Sequence, residues 1–384
     1  MSLESVQVSS LGVSRAPSCP IGGMPVVVRL TAKFKVEGQV DNEIFKMYRE
    51  IVNQLVDYAV SKGIVSFKRL RSEKYYEMRA AYPSLPSHYV YTACQHACMM
   101  CNSYRRLRGR AKAGRPRLRK DAVLLDAQLF RLDMDRWILS LATPGGRVKL
   151  RVYHSDYHGK FRGWKQGQAW LVKKGAETYL HVSFSRAVRL RACRDVLGVD
   201  VNENNVTVAS GKLFVRFETR ERAIRTAYYL KRRRIQSRIR CRRARAKVFA
   251  KYRGRELNRV MDVYHKVAKS IVALALETGS AIAMENLRHI RRGVRFSRAL
   301  NGRLNRWSFR KLQQTIEYKA LEEGVPVVYV DPRGTSKKCP RCGSRMLRDN
   351  RRMLKCNCGL RMDRDLVGSW NIRLKGLKAL GIGV

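Results

Sequence analysis

The spacing of apolar residues changes along the chain, and each change predicts a different kind of element. Residues 1–24 show no clear period, which we interpret as a loose tail. Residues 26–36 are rich in β-branched side chains and partly alternate, which predicts a strand. Helical spacing then runs from residue 42 to about 107, and short apolar runs separated by turn residues fill 123–188. We therefore predict a small antiparallel sheet or barrel in the N-terminal half, interrupted by a helical insertion.

The C-terminal half alternates between strand-like and helix-like segments, which is typical of an α/β domain. Apolar runs predict strands at 196–201, 206–209, 213–217, 281–285 and 325–330. Helical spacing of apolar residues predicts helices within 260–275 and 309–320 and at the C-terminal end. Two of the predicted strands end in a carboxylate, Asp200 and Glu285.

Charge narrows the range of partners. The chain has 384 residues with 80 Lys+Arg against 30 Asp+Glu, a formal net charge of +50, while 45% of its residues are hydrophobic. A chain with an ordinary apolar fraction can build a core, and so large a charge favours a polyanionic partner. Long nucleic acid is the first expectation and an anionic membrane surface the rival. We see no membrane-spanning run and no signal peptide, so a cytoplasmic protein without a membrane partner is expected.

Three segments hold much of the positive charge. Residues 105–120 contain nine Lys/Arg and no acid, 220–255 contain sixteen and one acid, and 288–311 contain nine and no acid. Arginine binds phosphate through two parallel hydrogen bonds, so these segments are candidate nucleic-acid contacts. The candidate residues are Arg105, Arg106, Arg108, Arg110, Lys231, Arg232, Arg233, Arg234, Arg238, Arg242, Arg243, Arg291, Arg292 and Arg295.

Cysteine spacing predicts a metal site. Cys339 and Cys342 form a CxxCG pair, and Cys356 and Cys358 form a shorter CxC pair followed by Gly359. Four thiolates in two close pairs suit a tetrahedral structural Zn²⁺, and buried free thiols are the alternative. A second group at 94, 98 and 101 lies on one helix face, where we expect small core residues rather than metal ligands.

Acidic residues at the ends of elements suggest a second metal site. Asp200 and Glu285 end buried strands, and Asp363 and Asp365 lie just before the last helix. A carboxylate at the end of an apolar strand is costly to bury without a cation. Three such groups meeting in one crevice would hold two Mg²⁺ and support phosphodiester hydrolysis. Capping or solvent-facing acids are the alternative interpretation.

Ordered motifs resemble the TnpB family of transposon-associated proteins. Residues 197–202 (Leu-Gly-Val-Asp-Val-Asn) resemble its first RuvC motif, 283–287 (Ala-Met-Glu-Asn-Leu) its second, and 363–372 its third. Residues 330–339 resemble the family's entry into its zinc ribbon. The resemblance covers about 195–384 well and the N-terminal half only in layout. The third motif departs from the family pattern, because Val367 stands for the usual Asn and Gly368-Ser369 for Ala-Ala.

The resemblance implies an α/β and β multidomain chain. It implies an RNase H-like RuvC nuclease domain at 191–332 and 360–384, with a target-nucleic-acid-binding zinc ribbon inserted at 333–359. It also implies a wedge β-barrel at 25–40 and 120–190, with a helical recognition lobe inserted at 41–119. The catalytic residues would be Asp200, Glu285 and Asp365, with Asp363 as a companion.

The implied activity is cleavage of double-stranded DNA, guided by an RNA encoded at the transposon end, next to a short DNA motif. Segments 220–255 and 288–311 would then line the guide–target channel, and 105–120 would contact nucleic acid near the recognition lobe. A monomer is expected, bound to the nucleoid when on DNA. Three alternatives stay open: a nuclease-inactive RNA-guided repressor, a small type V CRISPR effector, and a non-enzymatic zinc-ribbon protein that binds nucleic acid.

Overall fold

Two compact units make up the chain. The computed structural model describes residues 25–108, 114–287, 297–350 and 352–383, so the predicted tail lies outside the described residues. Of the described residues, 29–186 belong to the first unit, and 25–28 and those from 187 to 383 belong to the second. Among the described residues, no helix combines the length and apolar character needed to cross a bilayer.

The first unit consists of a sheet and an inserted group of helices. Its elements in chain order are β1 (Pro25–Val36), α1 (Asn42–Ser61), α2 (Phe67–Ala81), α3 (Ser87–Arg108), β2 (Ala122–Leu125), β3 (Phe130–Asp133), β4 (Ile138–Thr143), β5 (Gly146–Tyr153), α4 (Asp156–Gly159), β6 (Lys165–Lys174) and β7 (Glu177–Arg189). The strand predicted at 26–36 and the helix predicted from 42 are therefore both present.

The seven strands form one sheet in the order β2-β6-β7-β1-β5-β4-β3. Gln166 on β6 connects distant parts of this order, because its side-chain amide donates to the Leu132 carbonyl of β3 over 2.7 Å. The Leu132 N–H in turn donates to the Gln166 oxygen over 3.4 Å. These bonds bring β3 back toward β6, so the sheet is nearly closed into a barrel, as the alternating pattern predicted.

The helices inserted between β1 and β2 bury apolar residues along one face. Ile44 and Ile51 on α1 are fully buried, as expected for one face of an amphipathic helix. Cys94, Cys98 and Cys101 on α3 are also buried, which confirms that they are core residues. Burial raises the pKa of the Cys94 thiol to about 12, so this thiol stays protonated near neutral pH.

The second unit alternates strands and helices. Its elements in chain order are β8 (Asp195–Val201), β9 (Asn205–Ala209), β10 (Phe214–Glu218), α5 (Glu221–Arg238), α6 (Arg242–Tyr252), α7 (Arg255–Glu277), β11 (Ser280–Glu285), α8 (Arg298–Arg306), α9 (Phe309–Glu322), β12 (Val327–Val330), β13 (Leu347–Arg348), β14 (Met353–Lys355), β15 (Arg361–Asp363) and α10 (Arg364–Leu380). The basic segment 220–255 is thus helical with a break at 239–241, and α8 lies in the third basic segment, 288–311.

A five-stranded sheet in the order β10-β9-β8-β11-β12 forms the centre of the second unit. Strands β8, β11 and β12 are parallel, whereas β9 and β10 are antiparallel to their neighbours. Successive residues of a strand face opposite sides, so Leu197 packs with α7 and α9 while Val196 packs with α10. The sheet is therefore covered by helices on both faces. A small three-stranded sheet, β13-β14-β15, lies between β12 and α10 in the chain.

Helix α10 lies very close to the sheet because one glycine on β8 faces the helix and one glycine on the helix faces the sheet. A Cβ placed on Gly198 of β8 would lie 2.0 Å from the Ser369 carbonyl oxygen and 2.5 Å from the Arg373 nitrogen. On the helix side, a Cβ on Gly376 would lie 2.6 Å from the Ala283 Cβ. Both positions thus require glycine for steric reasons, and together they fix the distance between α10 and β8.

Gly198→Ala should destabilise the second unit. The added methyl group would overlap the α10 backbone, which cannot rotate away as a side chain can, so we expect a loss of at least about 1–3 kcal/mol in the free energy of unfolding. Chemical denaturation measures this loss. Gly302→Ala on α8 is the control, since its Cβ would meet nothing closer than 3.6 Å. Equal stability of the two variants would contradict the packing argument.

A candidate carboxylate site and a four-cysteine cluster

Two carboxylates lie side by side where neighbouring parallel strands end. The register of β8 and β11 pairs Val199 with Met284, so the next residues, Asp200 and Glu285, are adjacent across the sheet. Adjacent strands are about 4.8 Å apart. Parallel strands therefore bring together two acids that are far apart in the sequence, as predicted from their positions at strand ends.

The start of α10 brings the third carboxylate to the same place. Asp363 is the N-cap of this helix and accepts a hydrogen bond from the Asp365 N–H over 2.8 Å. Asp365 then lies in the first helical turn, where the helix dipole favours negative charge. Asp200, Glu285 and Asp365 all line one cleft of about 480 Å³. The three predicted catalytic acids thus share a cavity.

Burial and mutual repulsion both disfavour negative charge on the acids in this cleft. Burial, followed by the neighbouring Glu285 carboxylate, raises the pKa of Asp200 to about 7, with a smaller contribution from Asp365. The Asn202 side chain opposes this shift by donating to Asp200 Oδ2 over 3.0 Å. A cation that enters the cleft would favour the ionised form of Asp200.

Glu285 is held from two sides. Burial raises its pKa, and the hydroxyl of Thr335 partly offsets the shift by donating to Glu285 Oε1 over 2.5 Å. The side chain of Gln313 donates to the Glu285 main-chain carbonyl over 2.8 Å. Asn371 of α10 binds the same loop, because its amide donates to the carbonyls of Thr335 and Lys338. The loop after β12 therefore orients one acid and is itself tied to α10.

Two arginines contact the pair Asp363 and Asp365. Arg216 of β10 donates to Asp363 Oδ1 over 3.1 Å and to Asp365 Oδ2 over 3.4 Å. Arg352, next to β14, donates to Asp363 Oδ2 over 3.2 Å and to Asp365 Oδ2 over 2.5 Å. These bonds hold Asp365 toward the arginines, and the three acids of the cleft do not converge as the cysteines do. Among the described residues, the only group of three or more metal-ligating side chains whose atoms lie within 4.8 Å of one another is the cysteine cluster.

The four predicted cysteines meet in one place. Their sulfurs lie within 4.8 Å of one another, with 3.6 Å between Cys339 and Cys358 and 3.5 Å between Cys342 and Cys356. Zinc–sulfur bonds of about 2.3 Å set the sulfurs of a tetrahedral site roughly 3.8 Å apart. The cluster therefore fits one zinc ion, and the shortened second pair does not prevent this.

The glycines after each cysteine pair have the backbone geometry that such knuckles need. Gly343 and Gly359 adopt φ of +76° and +85°, which lie in the left-handed region. Each glycine N–H donates back to the first cysteine of a pair, Gly343 to Cys339 over 2.9 Å and Gly359 to Cys356 over 3.0 Å. Both acceptors are main-chain carbonyl oxygens, so each glycine closes a tight turn around its cysteine pair.

Most of the basic side chains predicted to contact nucleic acid are exposed. The exposed residues are Arg105, Arg106 and Arg108 on α3, Lys231, Arg233, Arg234 and Arg238 on α5, and Arg242 and Arg243 on α6. Arg232 is partly buried and forms an ion pair with Glu256, so it has a structural partner. Arg110, Arg291, Arg292 and Arg295 lie outside the described residues.

The site contains residues that the sequence did not single out. Asn202 and Thr335 lie inside quoted motif segments, so their position next to an acid was a usable signal. Arg216 and Arg352 gave no such signal, since only the fold brings β10 and the turn before β14 to the start of α10.

Two family models match parts of the chain. The model described as Cas12f1-like, TNB domain, matches residues 309–372, which include the cysteine cluster and the start of α10. The model described as the uncharacterized protein MJ0013 family matches residues 44–140.

Similar proteins are found among curated sequences and solved structures. The TnpB-like protein MJ0751 of Methanocaldococcus jannaschii is 34% identical over 259 residues, which are 64% of this chain and 92% of the relative. The CRISPR-associated endodeoxyribonuclease Cas12f1 of Sulfoacidibacillus thermotolerans is 35% identical over 118 residues, 29% of this chain and 26% of that protein. A cryo-EM structure of Cas12f1 with sgRNA and target DNA aligns over 86% of this chain and 81% of that chain, with a TM-score of 0.61. At 14% sequence identity, this last similarity shows a shared fold.

Asp200→Asn should stabilise the folded chain at alkaline pH in buffer without added magnesium. The folded pKa of about 7 lies above the ordinary value of about 3.9, so the folded state holds this proton more tightly. The Asp200 contribution to the free energy of unfolding therefore decreases as pH rises from about 4 to about 7, by about 1.4 kcal/mol for each pH unit within that window. The neutral Asn avoids this loss.

Thermal melting at several pH values measures this effect, and the stability gained by the variant should grow from pH 5 to pH 8. Asp262→Asn is the matched control, because Asp262 is a half-exposed acid paired with Lys266 on α7. If the stability gained by Asp200→Asn at pH 8 does not exceed the gain of the control, ionised Asp200 does not destabilise the fold.

Arg352→Gln should strengthen the binding of Mg²⁺ to the guide-free protein. A divalent ion in the cleft competes with this arginine for Asp365, and a half-exposed ion pair contributes about 0.2–1 kcal/mol. We expect the Mg²⁺ concentration for half-maximal thermal stabilisation to fall about two- to fivefold. Arg361→Gln is the control, since Arg361 on β15 pairs with Asp349, which directly follows β13 in the same small sheet. Unchanged or weaker Mg²⁺ binding would exclude this competition.

Proposed function

Because this chain belongs to the TnpB family, we propose that it is an RNA-guided DNA endonuclease encoded by an insertion-sequence transposon. The observation that carries the proposal is the shared cleft of Asp200, Glu285 and Asp365 in a chain of net charge +50. The relative Cas12f1 is named an endodeoxyribonuclease, and the solved structure of a Cas12f1 complex contains sgRNA and target DNA. The proposed activity is Mg²⁺-dependent hydrolysis of a phosphodiester in target DNA, next to a short adjacent motif.

In this reaction the protein would hold the metal ions and orient the acidic side chains that bind them. Two Mg²⁺ ions, when bound, supply water activation and stabilisation of the leaving oxygen. Asp200, Glu285 and Asp365 would hold them, since carboxylate oxygens are the ligands that this hard cation prefers. Asn202 and Thr335 each donate to one of these acids and so fix its orientation before substrate arrives.

The four cysteines would hold a structural Zn²⁺ and make 333–359 a zinc ribbon. All four ligand positions are filled by thiolates, which leaves no open position for a reacting group. The role of this metal is therefore to fix the short strands β13, β14 and β15, which have little apolar core of their own. This hairpin leads directly into α10 and its acidic N-terminal turn.

The basic segments would contact the nucleic acids. In guided recognition, base pairing selects the sequence while the protein holds the backbone of the heteroduplex. The exposed arginines of α5 and α6 suit such contacts, because they are numerous and mostly lack acidic neighbours. In this proposal the five-stranded sheet with its helices is an RNase H-like RuvC domain. The nearly closed barrel is a wedge domain, and α1 to α3 form a recognition lobe.

A small type V CRISPR effector is a second candidate. The match to Cas12f1 at 35% identity over 118 residues favours it, although that match spans only 26% of the relative. The two candidates share their chemistry and differ in the source of the guide. An RNA transcribed from the end of the flanking transposon supports the first candidate, and an RNA with CRISPR repeats supports the second. A nuclease-inactive repressor is less well supported, because none of the three acids is replaced.

Asp200→Ala should abolish DNA cleavage while RNA binding stays nearly intact. The substitution removes one metal ligand and no basic contact, so we expect the cleavage rate to fall about a thousandfold or more. The protein is expressed with its flanking DNA, the copurified RNA is sequenced, and Mg²⁺-dependent cutting of a matched duplex is measured. Asp262→Ala on α7 is the control for general damage. Normal cutting by Asp200→Ala would refute the site assignment.

A further inference from the structure

Gln313 is a polar side chain in a largely apolar part of the core. It lies on α9 and is completely buried, next along the helix to Leu312 and about one turn from Phe309 and Ile316. Those three residues belong to the apolar cluster that packs against one face of the five-stranded sheet. Burying an amide in such surroundings costs free energy unless both of its ends find partners. A polar residue at this position is therefore not explained by core packing.

Only one end of the Gln313 amide has a hydrogen-bond partner. Its Nε2 group donates to the main-chain carbonyl of Glu285 over 2.8 Å. Its Oε1 atom is buried and accepts no hydrogen bond from the described residues. Because the Glu285 carbonyl can only accept, it fixes which way the amide faces and leaves Oε1 without a donor. The fold thus tolerates an unsatisfied buried acceptor in order to make the one bond to Glu285.

The peptide group between Glu285 and Asn286 is held at both ends. Its carbonyl accepts from Gln313 and also from the Leu287 N–H, over 3.0 Å, so the chain turns sharply directly after the acid. Its N–H, that of Asn286, donates to the Val330 carbonyl of β12 over 2.8 Å. A peptide group is planar, so fixing both ends fixes the backbone on one side of the Glu285 Cα. The direction in which the Glu285 side chain leaves the strand is thereby set.

Glu285 needs this support more than Asp200 does. Its side chain has one more methylene group, so holding its carboxylate in one place costs more rotamer freedom. Thr335 restrains the far end of the side chain by donating to Oε1 over 2.5 Å. Gln313 restrains the near end through the main chain. With both ends restrained, the carboxylate is directed to one place in the cleft.

Helix α9 is a firm support for Gln313 because its N-terminal end is also anchored. The N–H of Ser308, the N-cap residue of α9, donates to Glu221 Oε1 over 3.1 Å. Glu221 is buried at the start of α5 and also accepts a hydrogen bond from the Tyr264 hydroxyl of α7. The helix that carries Gln313 is therefore tied to two other helices of the same unit.

We propose that Gln313 is a positioning residue of the carboxylate cleft, which directs the Glu285 carboxylate toward bound Mg²⁺ by holding the peptide group that follows Glu285. This inference rests on the proposed endonuclease function and adds to it a residue that supports the site from the core. Gln313 does not line the cleft, so it acts through Glu285 and touches neither substrate nor metal. Metal sites depend on such outer contacts because a ligand that is free to move binds less tightly.

Gln313→Met tests this role. Methionine has a similar size and shape, so the variant loses the bond to Glu285 and the unsatisfied acceptor together. In the guide-free protein, we expect the Mg²⁺ concentration for half-maximal thermal stabilisation to rise about two- to tenfold, the effect of one hydrogen bond. The melting temperature without Mg²⁺ should stay the same or rise. In the complex with its copurified guide RNA, the cleavage rate at limiting Mg²⁺ should fall by a similar factor, while target DNA binding stays unchanged.

Thr315→Val is the matched control. Thr315 lies two residues further along α9 and is 3% exposed, and its hydroxyl also donates to a main-chain carbonyl, that of Lys311, over 2.8 Å. This variant removes a buried hydrogen bond from the same helix without touching Glu285, so its Mg²⁺ concentration should equal that of the wild type. Gln313→Leu, which also lacks a donor, should repeat the result of Gln313→Met.

An unchanged Mg²⁺ concentration in both Gln313 variants would overturn the positioning role while leaving the endonuclease proposal intact. An equal rise in Thr315→Val would overturn it too, since the rise would then come from general loosening of α9. Failure of both Gln313 variants to fold would show that Gln313 serves the core instead of the site. If the wild type shows neither stabilisation by Mg²⁺ nor cutting of a matched duplex, the proposed function itself is wrong, and the role of Gln313 with it.

Discussion

The close contact between α10 and β8 is the constraint on which the candidate site depends. Gly198 leaves no room for a side chain between the strand and the helix backbone, so the start of α10 can lie directly beside the end of β8. Gly368 continues this contact, since a Cβ there would lie 2.9 Å from Asp200 Oδ2. The helix thereby brings Asp365 to the cleft in which sheet register has already paired Asp200 with Glu285. Steric fit, rather than any attraction between the acids, places the three carboxylates along one cleft.

The electrostatic cost of this arrangement is distributed unevenly. Asp200 bears much of it, because burial and Glu285 both favour its protonated form. Asp365 has cationic neighbours instead, in Arg216 and Arg352. Asp365 can therefore pair with an arginine or with a metal ion, whereas Asp200 has a hydrogen bond from Asn202 and the charge of Arg364 to offset part of the effect of its burial. Such a site favours divalent ions over monovalent ones, since only a multiply charged ion offsets several carboxylates at once.

Sequence reasoning succeeded where a local pattern determines the outcome. The Cx2C and CxC spacings with their glycines predicted the cysteine cluster, and strand-end carboxylates predicted the shared cleft. The helical spacing of Cys94, Cys98 and Cys101 predicted their burial. Sequence reasoning could not identify Arg216, which reaches Asp363 only because antiparallel pairing places β10 at the sheet edge near α10. Nor could it separate Arg232, which binds Glu256, from its exposed neighbours in the same basic run. Both outcomes depend on contacts between residues distant in sequence, for which composition holds no information.

The position of the cysteine hairpin in the chain has a mechanical consequence. It is inserted between β12 and α10, so the residues that leave it, 361–365, are also those that supply the helix cap and the third acid. Asn371 fastens α10 to the loop entering the hairpin, at Thr335 and Lys338, and Thr335 also binds Glu285. A metal that closes the cysteine cluster therefore restrains both strands of chain that flank the cleft. The cysteine segment is far in sequence from Asp200 and Glu285, and this coupling arises because both of its ends meet α10. A structural ion in this place would contribute to the geometry of the cleft without touching a substrate.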